Sequence, residues 1–290
     1  MEEKCNFCGA GGAGIWSDGH YEALRCGSCG VIWVSPRPAP EDLQEIYSRD
    51  YFEKWYIKYE KERKAYFRRE LAEIERVIGS AGIDVSAGKK LLDVGCGTGF
   101  FLEAARERGW DGEGVEISNF AAGYVRDKLG FNVYAGSLKD LDARPGEFDL
   151  VTMWDVLAHV DDPAGYLEKT GFILKSGGLL VIKTPDHPPR LFALAGLANF
   201  TGRSKGLLHI PAQIFHFEPG NISNLLKKHG FSVIRTQRVR EVLSGGWTSS
   251  GLKNFLAAVF HDLLKLTGAG ESFVVYAKKG TVREDLRRRL

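Results

Sequence analysis

Ten residues limit the fold more than any others: LLDVGCGTGF, Leu91 to Phe100. A short apolar run breaks into Gly95, Gly97 and Gly99 and leaves as FFLEAARERG, which reads as a helix. A strand that enters a glycine turn and exits as a helix opens an α/β unit. The alternation then continues. GEGVEIS, NVYAGSL, FDLVTMW and GGLLVIKTP read as strands, and NFAAGYVRDKLG and PAGYLEKTGFILK as the helices among them. A further helix, EPGNISNLLKKHG, and two strands, FSVIRTQ and ESFVVYAKK, complete the series. Such alternation gives a largely parallel sheet with helices on both faces, and ligands bind at the carboxyl ends of its strands.

A GxGxG run alone is a weak signal, and its third glycine falls one residue early for the dinucleotide fingerprint. Two acids sharpen it. Asp93 precedes the turn, and Glu116 ends the second strand about twenty residues on, where an acid takes both ribose hydroxyls. Asp93 would repel a pyrophosphate and attract a cofactor carrying an ammonium and a sulfonium. S-adenosylmethionine (SAM) is such a cofactor.

The run LLDVGCGTGFFLEAA, then VEIS, FDLVTMWDVLAHVDDPAGYLEKTGFILKSGGLLVIKTP and GESFVVYAKK, resembles a class I SAM-dependent methyltransferase from about residue 89 to 279. The resemblance implies an α/β, Rossmann-like, seven-stranded sheet in the order 3-2-1-4-5-7-6, its last strand antiparallel. It also assigns residues. Asp93, Gly95, Gly97 and Gly99 line the methionine part of the cofactor, with Cys96 filling the loop. Glu116 binds the ribose and Ile117 flanks the adenine, while Gly136, Ser137 and Leu138 stand where the family contacts adenine. Many members carry Asp where this chain has Ser137, so that contact differs here. Trp154 and Asp155 face the reacting end.

Methyl transfer is an in-line displacement governed mainly by positioning, and a hydroxyl acceptor also needs a base. Candidate bases are Asp155 and His159 in WDVLAHVDDP. The segment 186–218 adds His187, His209 and His216, with His209 and His216 preferred. In this family such an insertion usually closes over the acceptor.

A second pattern lies at the N-terminus. Cys5 and Cys8 form one CxxC and Cys26 and Cys29 another, seventeen residues apart, each followed by glycine. This is four-cysteine zinc spacing, and four ligands leave no open position, so the ion is structural. A unit of under forty residues has too little apolar core to fold alone, so metal supplies folding energy. The ribbon (1–38) leads through Pro36, Pro38 and Pro40 into a connector (39–88), then the methyltransferase domain (89–280) and a basic tail (281–290). A helix over about Phe52 to Ile78 places Phe67, Leu71, Ile74 and Ile78 on one face. Between them acids nearly match bases, which favours a solvated helix packed on the domain over an RNA-binding surface.

The 290 residues carry a net charge of +2 and 44% apolar residues. They present no general field for nucleic acid or membrane. No secretory h-region opens the chain, and its longest apolar run, LFALAGLANF, is far short of the roughly 20 residues of a spanning helix. A soluble, cytoplasmic protein is expected. LKNFLAAVFHDLLKL, with Leu252, Phe255, Leu256, Val259 and Leu263 at helical spacing, reads with LFALAGLANF as core-packing helices or as an apolar lid or peripheral membrane contact. The tail VREDLRRRL reads as a solvated end.

The leading expectation is methyl transfer to a sugar, glycan or other small molecule. The N-terminal half also resembles a bacterial group that joins a zinc ribbon and PRP connector to this domain, many of whose members are encoded for glycan or small-molecule tailoring. A second reading is an RNA methyltransferase whose ribbon grips nucleic acid, as in some rRNA guanine methyltransferases. Against it stand the balanced charge and WDVLAH in place of an asparagine–proline motif. A third is a non-catalytic SAM-binding protein whose ribbon recruits a partner.

Overall fold

The computed structural model describes residues 4–39, 46–85, 88–197, 208–239 and 272–280. β1 (Gly12–Ser17), β2 (Glu22–Cys26) and β3 (Ile32–Ser35) form an antiparallel meander between the two cysteine knuckles. Val31 and Trp33 pack into the core of the main domain, while Ile32 and Val34 face a second apolar cluster on the other side. All four are fully buried. That is why the segment reads as the unbroken apolar run VIWV instead of an in–out alternation.

Among the described residues of the connector, the helix expected over about Phe52 to Ile78 is divided into α1 (Arg49–Trp55) and α2 (Glu60–Ser80). α1 ends at Trp55, and the 3₁₀ turn Ile57–Tyr59 separates it from α2, with Tyr59 outside α-helical geometry. The break turns the Phe52 and Tyr56 rings onto Gly97 of the glycine loop. Leu71, Ile74, Val77 and Ile78 of α2 are buried against the main domain. Each aliphatic side chain buried this way gives roughly 1.5–3 kcal/mol. This apolar stripe therefore anchors α2, and exposed pairs such as Arg68–Glu107 add little.

The main domain follows with β4 (Lys90–Val94), α3 (Phe100–Glu107), β5 (Asp111–Glu116), α4 (Asn119–Tyr124), β6 (Asn132–Ala135), β7 (Phe148–Trp154), α5 (Pro163–Ile173) and β8 (Leu174–Pro185). α4 runs on into a π turn, Val125–Leu129. Then come α6 (Pro189–Leu197), β9 (Phe215–His216), α7 (Pro219–Lys228), β10 (Phe231–Val239) and β11 (Ser272–Lys279). The seven-stranded sheet has the order β10-β11-β8-β7-β4-β5-β6, with β11 antiparallel to both neighbours. Counted within this domain it is the expected 3-2-1-4-5-7-6. The chain crosses from β4 to β5 on one side and reaches β7 on the other, which opens a crevice beyond the carboxyl end of β4.

β9 is not part of that sheet. It pairs with β3 and becomes the fourth strand of the ribbon. α6, the described part of LFALAGLANF, packs Leu191, Phe192 and Ala195 onto the ribbon's other face. The described part of this stretch therefore packs one face into the core. LKNFLAAVFHDLLKL and the arginine tail lie outside the described residues. Among the described residues no helix is long and apolar enough to cross a membrane.

Candidate active site

The crevice opens into a cavity of about 960 Å³. One end is built by the turns after β4 and β5. Gly95 and Gly97 hold left-handed backbone, with φ of 70° and 53°. A side chain on Gly95 would also meet Val156 at 2.4 Å. The Gly95 and Cys96 amides donate to the Val115 carbonyl, which locks the turn to β5. Glu116 is buried, and its two carboxylate oxygens each accept one loop amide, from Gly97 and from Ser118, at 2.8 Å. Each oxygen keeps lone-pair capacity toward the cavity. Beside it Ile117 is 63% exposed, an apolar side chain left open on the cavity wall.

Asp93 is buried at the end of β4 and accepts a 2.7 Å bond from the Thr152 hydroxyl. Burial pushes its carboxyl up to about 8; the Thr152 bond opposes this and neighbouring Glu116 adds to it. Burial raises Glu116 as well, against its amide bonds. Two buried acids facing one cavity and so costly to ionise are an arrangement that a bound cation relieves. The residues present therefore fit SAM: acids for the cation and ribose, an open turn, an apolar flank.

Two expected cofactor contacts, Gly99 and Leu138, lie off the cavity wall, whereas Cys96 stays on it. Gly99 is off the cavity wall; its absent side chain makes room for Val125 and Leu129. Cys96 turns its sulfur onto Gly114, and burial holds the thiol well above its usual range. Leu138 packs into the core, leaving Gly136 and Ser137 on the wall. Ser137 shares its hydroxyl with the Tyr166 phenol at 3.1 Å.

At the other end stand Trp154, Asp155, His159 and His209. Trp154 packs among Tyr66, Phe67 and Phe101. Asp155 has a φ of 57°, rare for a non-glycine residue and typical of functional sites. Its Oδ2 accepts a 2.5 Å bond from the buried Lys183, and Oδ1 is buried without a hydrogen-bond partner. His159 Nδ1 lies 2.7 Å from the Ala212 carbonyl and 3.0 Å from the Tyr47 hydroxyl. A carbonyl accepts only, so the proton sits on Nδ1 and Nε2 keeps its lone pair. Burial, the largest influence, lowers the His159 pKa, which keeps the ring neutral.

His216 is set apart from this group. It lies in β9, 1% exposed and off the cavity wall, with Nδ1 2.6 Å from His187 Nδ1 and its ring beside Phe192. The expectation that His216 acts on the acceptor is thus corrected: pairing with β3 turns it into the core.

The sequence reading missed the roof. Tyr47, Tyr51, Phe52, Tyr56 and Arg63 of the connector line the cavity, as do Arg37 and Lys183. Burial raises the Tyr47, Tyr51 and Tyr56 phenols, so they remain protonated. The aromatic density of YFEKWYIKYE was the available signal.

Off the cavity wall, Cys5, Cys8, Cys26 and Cys29 bring all four sulfurs within 4.8 Å of one another. Cys5–Cys29 and Cys8–Cys26 are 3.5 and 3.4 Å apart. A tetrahedral ion with bonds of ~2.3 Å spaces its sulfurs by roughly 3.8 Å, so the cluster fits a four-thiolate ion.

Sheet order, glycine turn and paired acids together define a class I SAM-dependent methyltransferase. The family model described as "Methyltransferase domain" matches residues 59–236, and the chain belongs to that family. The ubiquinone biosynthesis O-methyltransferase of Pseudomonas aeruginosa (strain UCBPP-PA14) is 33% identical over 118 residues, 38% of this chain and 51% of that protein. The chain thus spans about half the length of the curated relatives it matches. Two solved structures share the fold. One is a SAM-dependent methyltransferase from Archaeoglobus fulgidus, with a TM-score of 0.52, 20% identity and coverage of 78% of this chain and 99% of that one. The other is the Burkholderia thailandensis 1,6-didemethyltoxoflavin-N1-methyltransferase with bound 1,6-didemethyltoxoflavin and S-adenosylhomocysteine, with a TM-score of 0.53, 16% identity and coverage of 91% and 98%.

Proposed function

We propose that the protein methylates a small molecule, such as a sugar, a glycan precursor or a ring metabolite, at a hydroxyl or amine within this cavity. One observation carries the reading: a single cavity joins Asp93 and Glu116 to Asp155, His159 and His209 beneath a roof of connector aromatics. Its size falls in the range of small-molecule sites, ~300–1,000 Å³. The P. aeruginosa relative's O-methyltransferase name and the bound toxoflavin precursor of the B. thailandensis enzyme agree with such an acceptor.

When bound, SAM supplies the electrophilic methyl. Asp93 would hold its cationic end and Glu116 its ribose, and Ile117 and Ser137 would take the adenine. Asp155, clamped by Lys183, lines the acceptor end with its carboxylate. His159, neutral and with Nε2 free, takes the acceptor proton, and His209 is the alternative base. The aromatic roof excludes water. The four cysteines hold a structural zinc ion.

The test is transfer from methyl-labelled SAM into a cell extract, separated into RNA, protein, lipid and small-molecule or glycan fractions. Label in the last fraction, lost with Asp93→Ala, is the expected result. Label in RNA would overturn it and make the ribbon a nucleic-acid grip.

A further inference from the structure

We infer that the ribbon is the back wall of the acceptor half: loading its four thiols with metal fixes the loop that carries Asp155 and His159, while the cofactor half forms without it. This rests on the assignment of that loop to the acceptor.

The first cysteine knuckle carries Asn6 and Phe7 between its ligands. Asn6 Nδ2 donates to the Asp161 carbonyl at 3.1 Å, and Arg37, at the ribbon's exit, donates to the same carbonyl at 2.7 Å and to the Asn6 amide oxygen. Phe7 sets its ring edge-on against Phe215 and Phe217. Those two residues flank His216, and Phe215–His216 is the strand that completes the ribbon sheet. At its start the Ile214 and Phe215 amides donate to the Ala158 carbonyl at 2.8 and 3.0 Å. The Ala212 carbonyl holds His159 Nδ1. The second knuckle is tied as well, because Asn221 of α7 donates to the Gly30 carbonyl.

Residues 158–161 are therefore held from both sides by contacts that run back to the ribbon within one or two steps, while Asp155 at the loop's start is tied to β8 by Lys183. The bonds that shape the other half run within the main sheet: Gly95 and Cys96 to Val115, Gly97 and Ser118 to Glu116, Thr152 to Asp93. None of these involves the ribbon. A knuckle without metal loses the constraint that fixes Asn6 and Phe7, since such small units draw their folding energy from the ion.

Hydrogen exchange by mass spectrometry on the full chain tests this, zinc-loaded against zinc-depleted by a chelator, with S-adenosylhomocysteine binding measured by calorimetry. Exchange in 155–161 and 212–217 should rise roughly tenfold on depletion, while S-adenosylhomocysteine affinity changes less than about threefold. Unchanged protection in those segments overturns the inference. So does loss of S-adenosylhomocysteine binding in parallel from a folded protein, because the metal then supports the whole domain. Where depletion unfolds the chain, Asn6→Ala decides. It keeps all four thiols and full zinc content, and faster exchange at 158–161 supports the wall while wild-type exchange refutes it. Neither readout uses an acceptor, so a failed search for methyl transfer and a failed wall are told apart.

Discussion

The two ends of the cavity are assembled in opposite ways. The cofactor end is drawn from neighbouring strands and turns of one sheet: Glu116 is held by amides of the turns, and Asp93 by the Thr152 hydroxyl of the adjacent strand. The acceptor end is a meeting place. Loop 155–161, segment 209–217, connector aromatics and the ribbon each supply part, and their contacts include pairs 53 residues apart, His159–Ala212, and 155 apart, Asn6–Asp161, with Phe7 and Phe217 farther apart still. Short-range construction makes the first end common to a fold. Long-range construction lets the second be changed, by altering one distant segment, without disturbing the cofactor.

The sharpest way to break this division is Glu116→Ala. It strips two loop amides of their acceptor and removes the ribose ligand, so SAM affinity should fall by about 100-fold or more, each lost charged bond being worth ~1.5–3 kcal/mol. Calorimetry giving near wild-type affinity would dissolve the assignment of this end. His159→Ala acts on the other end. Turnover should drop by about 10²-fold at unchanged SAM affinity; if His159→Ala turns over normally and His209→Ala does not, His209 is the base.

A third effect depends on pH. The bound state needs Asp93 charged, yet the free protein holds its proton up to about 8. SAM binding should therefore release a proton, and affinity should climb about tenfold per pH unit below that value and then level. The same raised carboxyl means that the free folded state binds this proton more tightly than the unfolded chain, whose Asp titrates near about 4. Its contribution to stability is thus lost as pH rises from about 4 towards 8. Binding measured in two buffers of different ionisation enthalpy counts the proton; none released would show Asp93 already charged. The smallest expected change is Tyr47→Phe, which removes only the hydroxyl 3.0 Å from His159. Turnover should fall a few-fold, roughly 1 kcal/mol, while SAM binding stays put.

The same asymmetry decides how far the sequence could be read. Asp93, Gly95, Gly97 and Glu116 sit in a contiguous strand–turn–helix–strand, so their spacing and chemistry drew attention to them; the alternation implied a largely parallel sheet, and its strand order came from the family resemblance. Lys183 looked like an ordinary strand residue until Asp155 was found against it. Phe215 and His216 form a two-residue strand, too short for any periodicity, and its partner lies in the ribbon. The same pairing hid the fate of His216. The break at Tyr56 was invisible because aromatic and charged residues continue unchanged through it, and only packing on Gly97 gives it a reason.

The pairing of β3 with β9 also sets an order of events during synthesis. Trp33 leaves the ribosome ~180 residues ahead of Phe215, its partner. At about 5–20 residues per second the apolar edge VIWV waits on the order of 10–40 s for its cover. Both faces of that strand are bare for the same interval, since α6 and the main sheet are also still to come. Metal capture by the knuckles on either side can occur as soon as Cys29 emerges, which makes an early-loaded ribbon the natural guard of this strand against pairing with another chain.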